Sequence, residues 1–240
     1  MADSTESVFF HPRYADLSEE LKGIMFDPEA LQKAGLIFRE LKGRGTTYFY
    51  HLEKQPVVLR HYWRGGFMQN LSKDAYIWTG LSRTRSYREW KLLEKMKDLG
   101  LPTPGPVALQ ISRSGFCYRS DIVTEEIEEA ESLAEILKQR PATSDEWQLV
   151  GGTIKRFHES QVLHADLNAN NILLGNSSCY WIDFDRGRIQ VGDSWKASVI
   201  ARLRRSLEKL QGKHDVFNFT ENGWDELLKA YVNPSNPAEI

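Results

Sequence analysis

The sequence has 240 residues, 41% of them hydrophobic and 27% charged, which is the composition of a globular protein and excludes a disordered or fibrous chain. This length is enough for one or two domains, each with its own buried core. The formal net charge of −2 excludes a global positive field, and we therefore expect no nucleic-acid partner.

The N-terminal part of the chain is predicted to be rich in β-strands. Residues 1–35 mix helix signals with turn residues and are treated as an N-terminal extension. The region after them alternates apolar and polar residues between turns, and it contains one segment with the spacing of an amphipathic helix. We predict three antiparallel strands within residues 36–63, a helix at 83–99, and strands around 106–112 and 117–125.

The C-terminal part changes character and is predicted to be mainly helical. We predict helices at about residues 132–139, 144–161, 194–210 and 221–232. Two short extended runs lie between the inner pair of helices. The order of elements predicts an α+β protein with a β-rich N-terminal lobe, residues 36–127, and a mainly helical C-terminal lobe, residues 128–240. A cleft between two such lobes is the expected ligand site.

The two short extended runs carry the residues that phosphoryl transfer needs. Asp166 lies in a His-x-Asp motif, Asn171 follows five residues later, and Asp183 ends a strand-like run 17 residues after Asp166. One carboxylate must accept or orient the proton of the attacking hydroxyl, while an amide oxygen and a second carboxylate can hold Mg²⁺ on the nucleotide phosphates. We therefore assign Asp166 as the catalytic residue, and Asn171 and Asp183 as metal ligands. Each residue is common alone, so the assignment depends on their combination.

This combination resembles the catalytic loop and the metal-binding motif of protein kinases and of their sugar- and lipid-kinase relatives. The resemblance implies a protein-kinase-like two-lobed fold, with ATP and Mg²⁺ as cofactors. It also implies a glycine-rich loop whose backbone N–H groups cover the phosphates. The turn between the first two strands predicted within residues 36–63 is the candidate for that loop, with two of the three usual glycines. Its cofactor-binding candidates are Gly43, Arg44, Gly45 and Thr46.

A cation and its acidic partner complete the implied nucleotide-binding apparatus. Arg60 stands where kinases of this fold have a lysine, and it offers a permanent cation with a different geometry. Glu89, in the helix predicted at residues 83–99, is the expected partner of Arg60, and Glu94 is the alternative. Asp185 stands where protein kinases have glycine, and its role is left open.

Further segments resemble one family closely, the 3-deoxy-D-manno-octulosonic acid (Kdo) kinases among the lipopolysaccharide core kinases. These segments lie at residues 43–49, 59–66, 82–90, 101–108, 164–174 and 181–187. The resemblance implies transfer of the ATP γ-phosphate to the 4-hydroxyl of a Kdo residue on a lipid A precursor. It further implies a peripheral protein on the cytoplasmic side of a Gram-negative inner membrane.

Residues 60–85 mix arginines with aromatic and apolar side chains, as an enzyme that binds an anionic lipid acceptor requires. This segment is also longer than a connector between a strand and a helix needs to be. We predict that it contacts lipid or substrate anions, with Trp78 and Arg83 as the positions to test. A second basic run, with Arg202, Arg204 and Arg205, is predicted to be a solvated helix face.

The cysteines and the N-terminus bear on the compartment. Cys117 and Cys179 are far apart, which excludes a disulfide scaffold and a cysteine zinc site and suits a reducing compartment. Residues 1–14 lack the basic and apolar segments of a secretory signal, and no run approaches the ~18 apolar residues of a spanning helix. We expect a protein of the cytosol or of the cytosolic face of a membrane.

Three alternatives remain open. A small-molecule phosphotransferase of the aminoglycoside or choline kinase type shares the motifs, but such enzymes bind cationic substrates, which the basic aromatic segment disfavours. A protein kinase would have an Ala-Pro-Glu motif after the second motif, and none is present. A non-catalytic pseudokinase module is favoured only by Arg60, and the intact Asp166, Asn171 and Asp183 argue against it.

Overall fold

The computed structural model describes residues 4–43, 45–63, 74–175 and 177–233. The chain divides into two compact units. The first unit comprises Met1–Glu94 and Gly105–Glu126, and the second comprises Lys95–Pro104 and Ile127–Ile240. Within the described ranges, no helix combines the length and the apolar character that crossing a bilayer requires.

An antiparallel sheet forms the first unit, and seven strands of the described residues belong to it. In chain order they are β1 (Ser4–Phe10), β2 (Ile37–Lys42), β3 (Thr46–Leu52), β4 (Gln55–His61), β5 (Tyr76–Ile77), β6 (Pro106–Ser114) and β7 (Cys117–Glu125). Their order across the sheet is β1-β6-β7-β4-β3-β2, and β5 pairs with β7. The strands predicted within residues 36–63 and around 106–112 and 117–125 are confirmed.

Alternation along the central strand β4 decides which side chains enter the core. Val57 and Leu59 are buried, whereas Val58 and Arg60 on the opposite face are only partly buried. Successive side chains of a strand point to opposite faces of the sheet, so this pattern follows directly from the sequence. Arg60 is thereby held on the face opposite to the main core cluster.

Residues 4–34 are an integral part of the first unit, whereas the sequence predicted an extension at residues 1–35. Strand β1 pairs with β6 along its whole length, from Ser4 opposite Ser114 to Phe10 opposite Ala108. Two short helices follow, α1 (Glu19–Ile24) and α2 (Pro28–Lys33). The segment supplies four residues to the buried core, namely Tyr14, Leu17, Met25 and Leu31. Burial of this apolar surface stabilises the unit, so removing the segment would expose the sheet.

The second unit is mainly helical, as the sequence predicted. After α3 (Arg85–Asp98), the helices are α4 (Leu133–Gln139), α5 (Ser144–Glu159), α6 (Lys196–Gln211) and α7 (Glu221–Val232). Five short strands accompany them in the described residues, namely β8 (Glu131–Ser132), β9 (Val162–Leu163), β10 (Ile172–Gly175), β11 (Ser178–Trp181) and β12 (Arg188–Ile189). Strand β10 lies between β11 and β8, and β12 pairs with β9. The two motif segments are therefore bounded by short strands that fix their ends.

Helices α5 and α7 pack closely against each other at Gly151. A Cβ atom at Gly151 would lie 2.2 Å from the backbone oxygen of Leu227, whereas a Cβ atom at the adjacent Gly152 would have no neighbour within 4 Å. Any side chain at Gly151 must therefore push the two helices apart.

We expect Gly151→Ala to lower the free energy of unfolding by about 1–3 kcal/mol, the usual cost of overpacking. Gly152→Ala is the matched control, and it is expected to raise stability by about 0.5–1 kcal/mol because alanine favours the helix. Urea denaturation followed by circular dichroism measures both values. Equal stability of the two variants would contradict close packing at Gly151.

Candidate active site

The glycine turn of the first unit is a tight connection between β2 and β3. The N–H of Gly43 donates to the carbonyl of Gly45 at 2.8 Å, and Thr46 begins β3 opposite Lys42. A Cβ atom at Gly45 would lie 1.8 Å from Nε1 of Trp63, so the indole occupies the space that a side chain would need. Arg44 lies outside the described residues. The role of this turn in covering phosphates stays a prediction.

Arg60 and Glu89 form an ion pair, as the sequence predicted. A guanidinium N–H of Arg60 donates to Oε1 of the buried Glu89, and the Tyr62 hydroxyl donates to Oε2 of the same carboxylate. The Arg60 guanidinium also lies 5.4 Å from the centre of the Tyr62 ring. The alternative partner, Glu94, instead accepts from Lys91. Glu89 is thus the residue that orients Arg60, and its part in binding a nucleotide stays a prediction.

His164 connects the two motif segments of the second unit. The ring is buried, its Nε2 lies 2.9 Å from the carbonyl oxygen of Ile182, and its Nδ1 lies 3.2 Å from the N–H of Asp166. A carbonyl accepts and an N–H donates, so the network assigns a neutral ring with its proton on Nε2. Burial lowers the pKa of His164, although the hydrogen bond to Ile182 opposes that shift. The neutral histidine therefore fixes the backbone beside Asp166 and immediately before Asp183.

Asn171 reinforces the same connection. Its side-chain Nδ2 donates to the carbonyl of Asp166 at 3.1 Å, and its own carbonyl accepts from the N–H of Ile182 at 3.0 Å. This use of the amide nitrogen leaves Oδ1 as the Asn171 atom that can bind a cation. Asp183 has a φ of 62°, in the left-handed region that residues other than glycine seldom adopt and that aspartate tolerates better than most.

Hydrogen bonds thus join Asp166 to Asn171, and Asn171 to Ile182, the residue before Asp183, within the second unit. The oxygen donors of Asn171 and Asp183 are of the kind that Mg²⁺ prefers. Aromatic residues flank Asp183 in the sequence and pack together. The Phe157 ring stacks on Trp181 at 4.2 Å and on Phe184 at 5.7 Å between centroids. This rigid packing anchors the chain on both sides of Asp183.

Helix α6 supplies a residue of the candidate site, Arg202, that the sequence motifs did not predict. Nη1 of Arg202 donates to Oδ1 of Asp166 at 2.6 Å. One helical turn later, Oγ of Ser206 accepts from the N–H of Ala169 at 3.2 Å. Arg202 is exposed, as the prediction of a solvated face requires, but it also contacts Asp166. No spacing in the sequence could reveal this contact, because the partners lie 36 residues apart and meet only through packing.

Arg204, from the same basic run, has a different environment. It donates to Glu208 at 2.7 Å and also to Glu221. Its guanidinium also lies over the rings of Phe219 and Trp224. Arg204 therefore joins α6 to α7, and its contacts are structural.

His158, in α5, makes the second unit sensitive to acid. Its Nδ1 lies 3.1 Å from the Tyr231 hydroxyl, and burial, assisted by the charge of Lys196, lowers its pKa to about 4. The folded protein thus holds a neutral ring whose pKa lies below the unfolded value of about 6.5. The stability that depends on keeping His158 neutral is present above the unfolded pKa and is lost as the pH falls towards 4.

We therefore expect the free energy of unfolding to fall between about pH 7.5 and pH 5, by about 1.4 kcal/mol for each pH unit over which only the unfolded state binds the proton. His158→Gln is expected to reduce this pH dependence. The exposed His51 provides the control, because His51→Gln should leave the dependence at its wild-type size. Denaturant titrations at the two pH values measure the free energy of unfolding. If it changed as much with pH in His158→Gln as in the wild-type protein, the assignment to His158 would be wrong.

Known proteins resemble this chain both in sequence and in structure. The model of the lipopolysaccharide kinase (Kdo/WaaP) family matches residues 29–231. A 3-deoxy-D-manno-octulosonic acid kinase of Photobacterium profundum is 38% identical over 232 residues, covering 96% of this chain and 97% of the relative. A protein of the same name from Haemophilus influenzae is 41% identical over 215 residues, covering 86% of this chain and 89% of the relative.

A solved structure, "WaaP in complex with acyl carrier protein", resembles the fold. Its TM-score is 0.55 at 18% identity, and the match covers 95% of this chain and 90% of the other. This likeness shows a shared kinase-like fold of mixed α and β elements.

Proposed function

This chain belongs to the lipopolysaccharide kinase (Kdo/WaaP) family, and from that premise we propose that it phosphorylates Kdo with ATP as the donor. The acceptor we propose is the 4-hydroxyl of a Kdo residue carried on a lipid A precursor. The observation that supports this function is the hydrogen-bonded arrangement of Asp166, Asn171 and the backbone before Asp183. It unites one carboxylate for the proton with two oxygen ligands for a cation.

Asp166 handles the proton of the acceptor. In the transfer, the acceptor oxygen forms a bond to the γ-phosphorus, the bond from that phosphorus to ADP breaks, and the hydroxyl loses its proton. The carboxylate of Asp166 is 65% exposed, so an incoming hydroxyl can reach it, and its backbone is held on both sides. Asp166 therefore orients the hydroxyl and takes up its proton.

Asn171 and Asp183 would hold Mg²⁺, which neutralises charge on the nucleotide phosphates when it is bound. Gly43, Gly45 and Thr46 are proposed to bind the phosphates through their backbone, together with Arg44. Arg60, oriented by Glu89, provides the cation for those phosphates. We further propose that the two units correspond to the two lobes of a protein-kinase-like fold, with residues 4–34 as part of the first lobe.

Mass spectrometry of the lipid product tests the function. After incubation with Mg-ATP and a Kdo-bearing lipid A precursor, we expect a gain of one phosphate on the Kdo, and fragmentation should assign it to position 4. A cationic aminoglycoside serves as the competing acceptor. Phosphate on the aminoglycoside, with none on the lipid, would instead identify a small-molecule phosphotransferase.

We also propose peripheral contact with the cytoplasmic side of the inner membrane. Two apolar side chains of the first unit are open to solvent, Phe116 at 89% and Ile77 at 65% exposure. Their backbones lie close together, because the Trp78 N–H donates to the Phe116 carbonyl and Ile77 pairs with Cys117. The Arg113 guanidinium lies 5.2 Å from the centre of the Trp78 ring. Exposed apolar groups beside arginine suit an anionic bilayer.

This surface covers only part of the segment predicted to contact lipid. Residues 64–73 of that segment lie outside the described residues. Arg83 is exposed, whereas Trp78 packs edge-on against Tyr118 at 6.0 Å. Replacing Trp78 would therefore disturb packing as well as any lipid contact, and the exposed Phe116 and Ile77 give the cleaner test.

We expect the double variant Phe116→Ser/Ile77→Ser to bind vesicles of phosphatidylglycerol and phosphatidylethanolamine about 10-fold more weakly, because partial burial of two apolar side chains is worth ~1–2 kcal/mol. Arg83→Gln should weaken binding further at low salt. Val191→Ser removes an equally exposed apolar side chain from the second unit and is the control. Vesicle sedimentation measures binding. If the double variant kept the wild-type affinity for vesicles and the wild-type KM for the lipid acceptor, this surface would not be a membrane contact.

A further inference from the structure

We propose that Arg202 recognises the carboxylate of the acceptor sugar acid while it positions Asp166. This inference rests on the proposed function, since Kdo is a sugar acid and a neutral sugar would offer no such group. It assigns a substrate-binding role to a residue of α6 that the phosphoryl-transfer motifs do not include.

The geometry places the guanidinium at the acceptor side of the reaction. Arg202 Nη1 lies 2.6 Å from Oδ1 of Asp166, the carboxylate proposed to receive the acceptor hydroxyl. The acceptor sugar that carries this hydroxyl must therefore lie beside Arg202. The contact between Ser206 and Ala169, one helical turn further along α6, holds helix and loop together and fixes that position.

The guanidinium retains donors for a ligand. A guanidinium has five N–H groups in a rigid fork, and the bond to Asp166 uses one of them. The Arg202 side chain is 47% exposed, so its remaining donors can be reached from solvent. Paired N–H groups of this kind match a carboxylate in a bidentate manner. An exposed ion pair adds little to stability, so folding alone does not account for it.

Charge balance indicates the same role. The loop from His164 to Asn171 contains no cationic side chain, because His164 is neutral and the other residues are apolar, amide or acidic. Asp166, Asp183 and Asp185 would repel an anionic acceptor. Of the three arginines in the basic run of α6, Arg204 is committed to Glu208 and Glu221, whereas Arg202 contacts the catalytic carboxylate. Arg202 is thus placed to offset this negative charge.

The test compares two soluble inhibitors that differ only in the carboxyl group. The methyl glycoside of Kdo and its carboxamide carry the same hydroxyls, and each is titrated against phosphorylation of the lipid-linked acceptor. We expect wild-type protein to bind the acid about 10- to 100-fold more tightly than the amide, the range of a charge-assisted hydrogen bond. For Arg202→Gln, the affinities for the acid and for the amide should differ by less than about threefold. This variant should also show a raised KM for the acceptor together with a lowered kcat.

Two further variants isolate the effect. Arg205→Gln removes an exposed arginine from the same helix and should keep the wild-type preference for the acid. Arg202→Lys retains the charge without the fork and should restore part of that preference. Because residue 202 is exposed, all three variants should have the wild-type melting temperature, which thermal unfolding checks.

The outcomes separate this inference from the proposed function. Failure of the wild-type protein to phosphorylate the Kdo-lipid would overturn the function, and the inference with it. Wild-type transfer with an undiminished acid preference in Arg202→Gln would overturn the inference alone. Equal or absent inhibition by the acid and the amide in the wild-type protein would also overturn it.

Discussion

Replacing Asp166 with asparagine is expected to lower kcat by at least ~10²-fold, the usual contribution of a proton-handling group. Asparagine has the same shape and keeps an oxygen that can accept from Arg202, but it cannot take up a proton. The backbone contacts of Asp166 with His164 and Asn171 do not involve the carboxylate. The loss should therefore fall on chemistry, with folding and ATP binding intact.

Initial rates with saturating Mg-ATP and Kdo-lipid measure this effect, and thermal unfolding with and without Mg-ATP checks folding and nucleotide binding. Asp225→Asn is the matched control, because it removes an exposed aspartate of the second unit and should leave kcat unchanged. A folded Asp166→Asn protein that retained most of its turnover would exclude Asp166 as the catalytic residue.

The second large effect is expected from Asp183→Asn, which should lower kcat by about 10²-fold or more, as the loss of a strong electrostatic contact in a reaction site usually does. Asparagine tolerates the left-handed backbone of residue 183, so the substitution removes charge without adding strain. A neutral amide is also a weaker ligand for Mg²⁺ than a carboxylate. The variant should thus require more Mg²⁺ for the same activity.

Asp185→Asn provides the comparison at the second aspartate of the motif. We expect it to lower kcat by less than about 10-fold, because Asp183 is the residue assigned to the metal. Stabilisation by Mg-ATP in thermal unfolding gives a readout that is independent of turnover: Asp183→Asn should lose it and Asp185→Asn should keep it. If instead Asp185→Asn lost this stabilisation and Asp183→Asn kept it, Asp185 would be the metal ligand.

The sequence alone was sufficient for the features that depend on short spacings. The strands within residues 36–63 and the helices of the second unit follow from alternating and helical periodicity, which local burial imposes. Asp166 and Asn171 lie five residues apart, so a turn within one loop is enough to bring them together. The Arg60–Glu89 pair was predictable from family resemblance combined with a helix at the correct place.

Packing between distant segments decided the rest. Strand β1 pairs with β6, which lies far along the chain, so the N-terminal segment belongs to the sheet and the core. Arg202 reaches Asp166 because helix α6 lies against the loop that carries Asp166. His164 is neutral because its ring is buried and its Nε2 donates to the Ile182 carbonyl. Such contacts leave no period in the sequence, since their energy comes from burial and hydrogen-bond geometry in three dimensions. The motif therefore predicted the phosphoryl-transfer residues, and only the tertiary structure showed that Arg202 contacts Asp166.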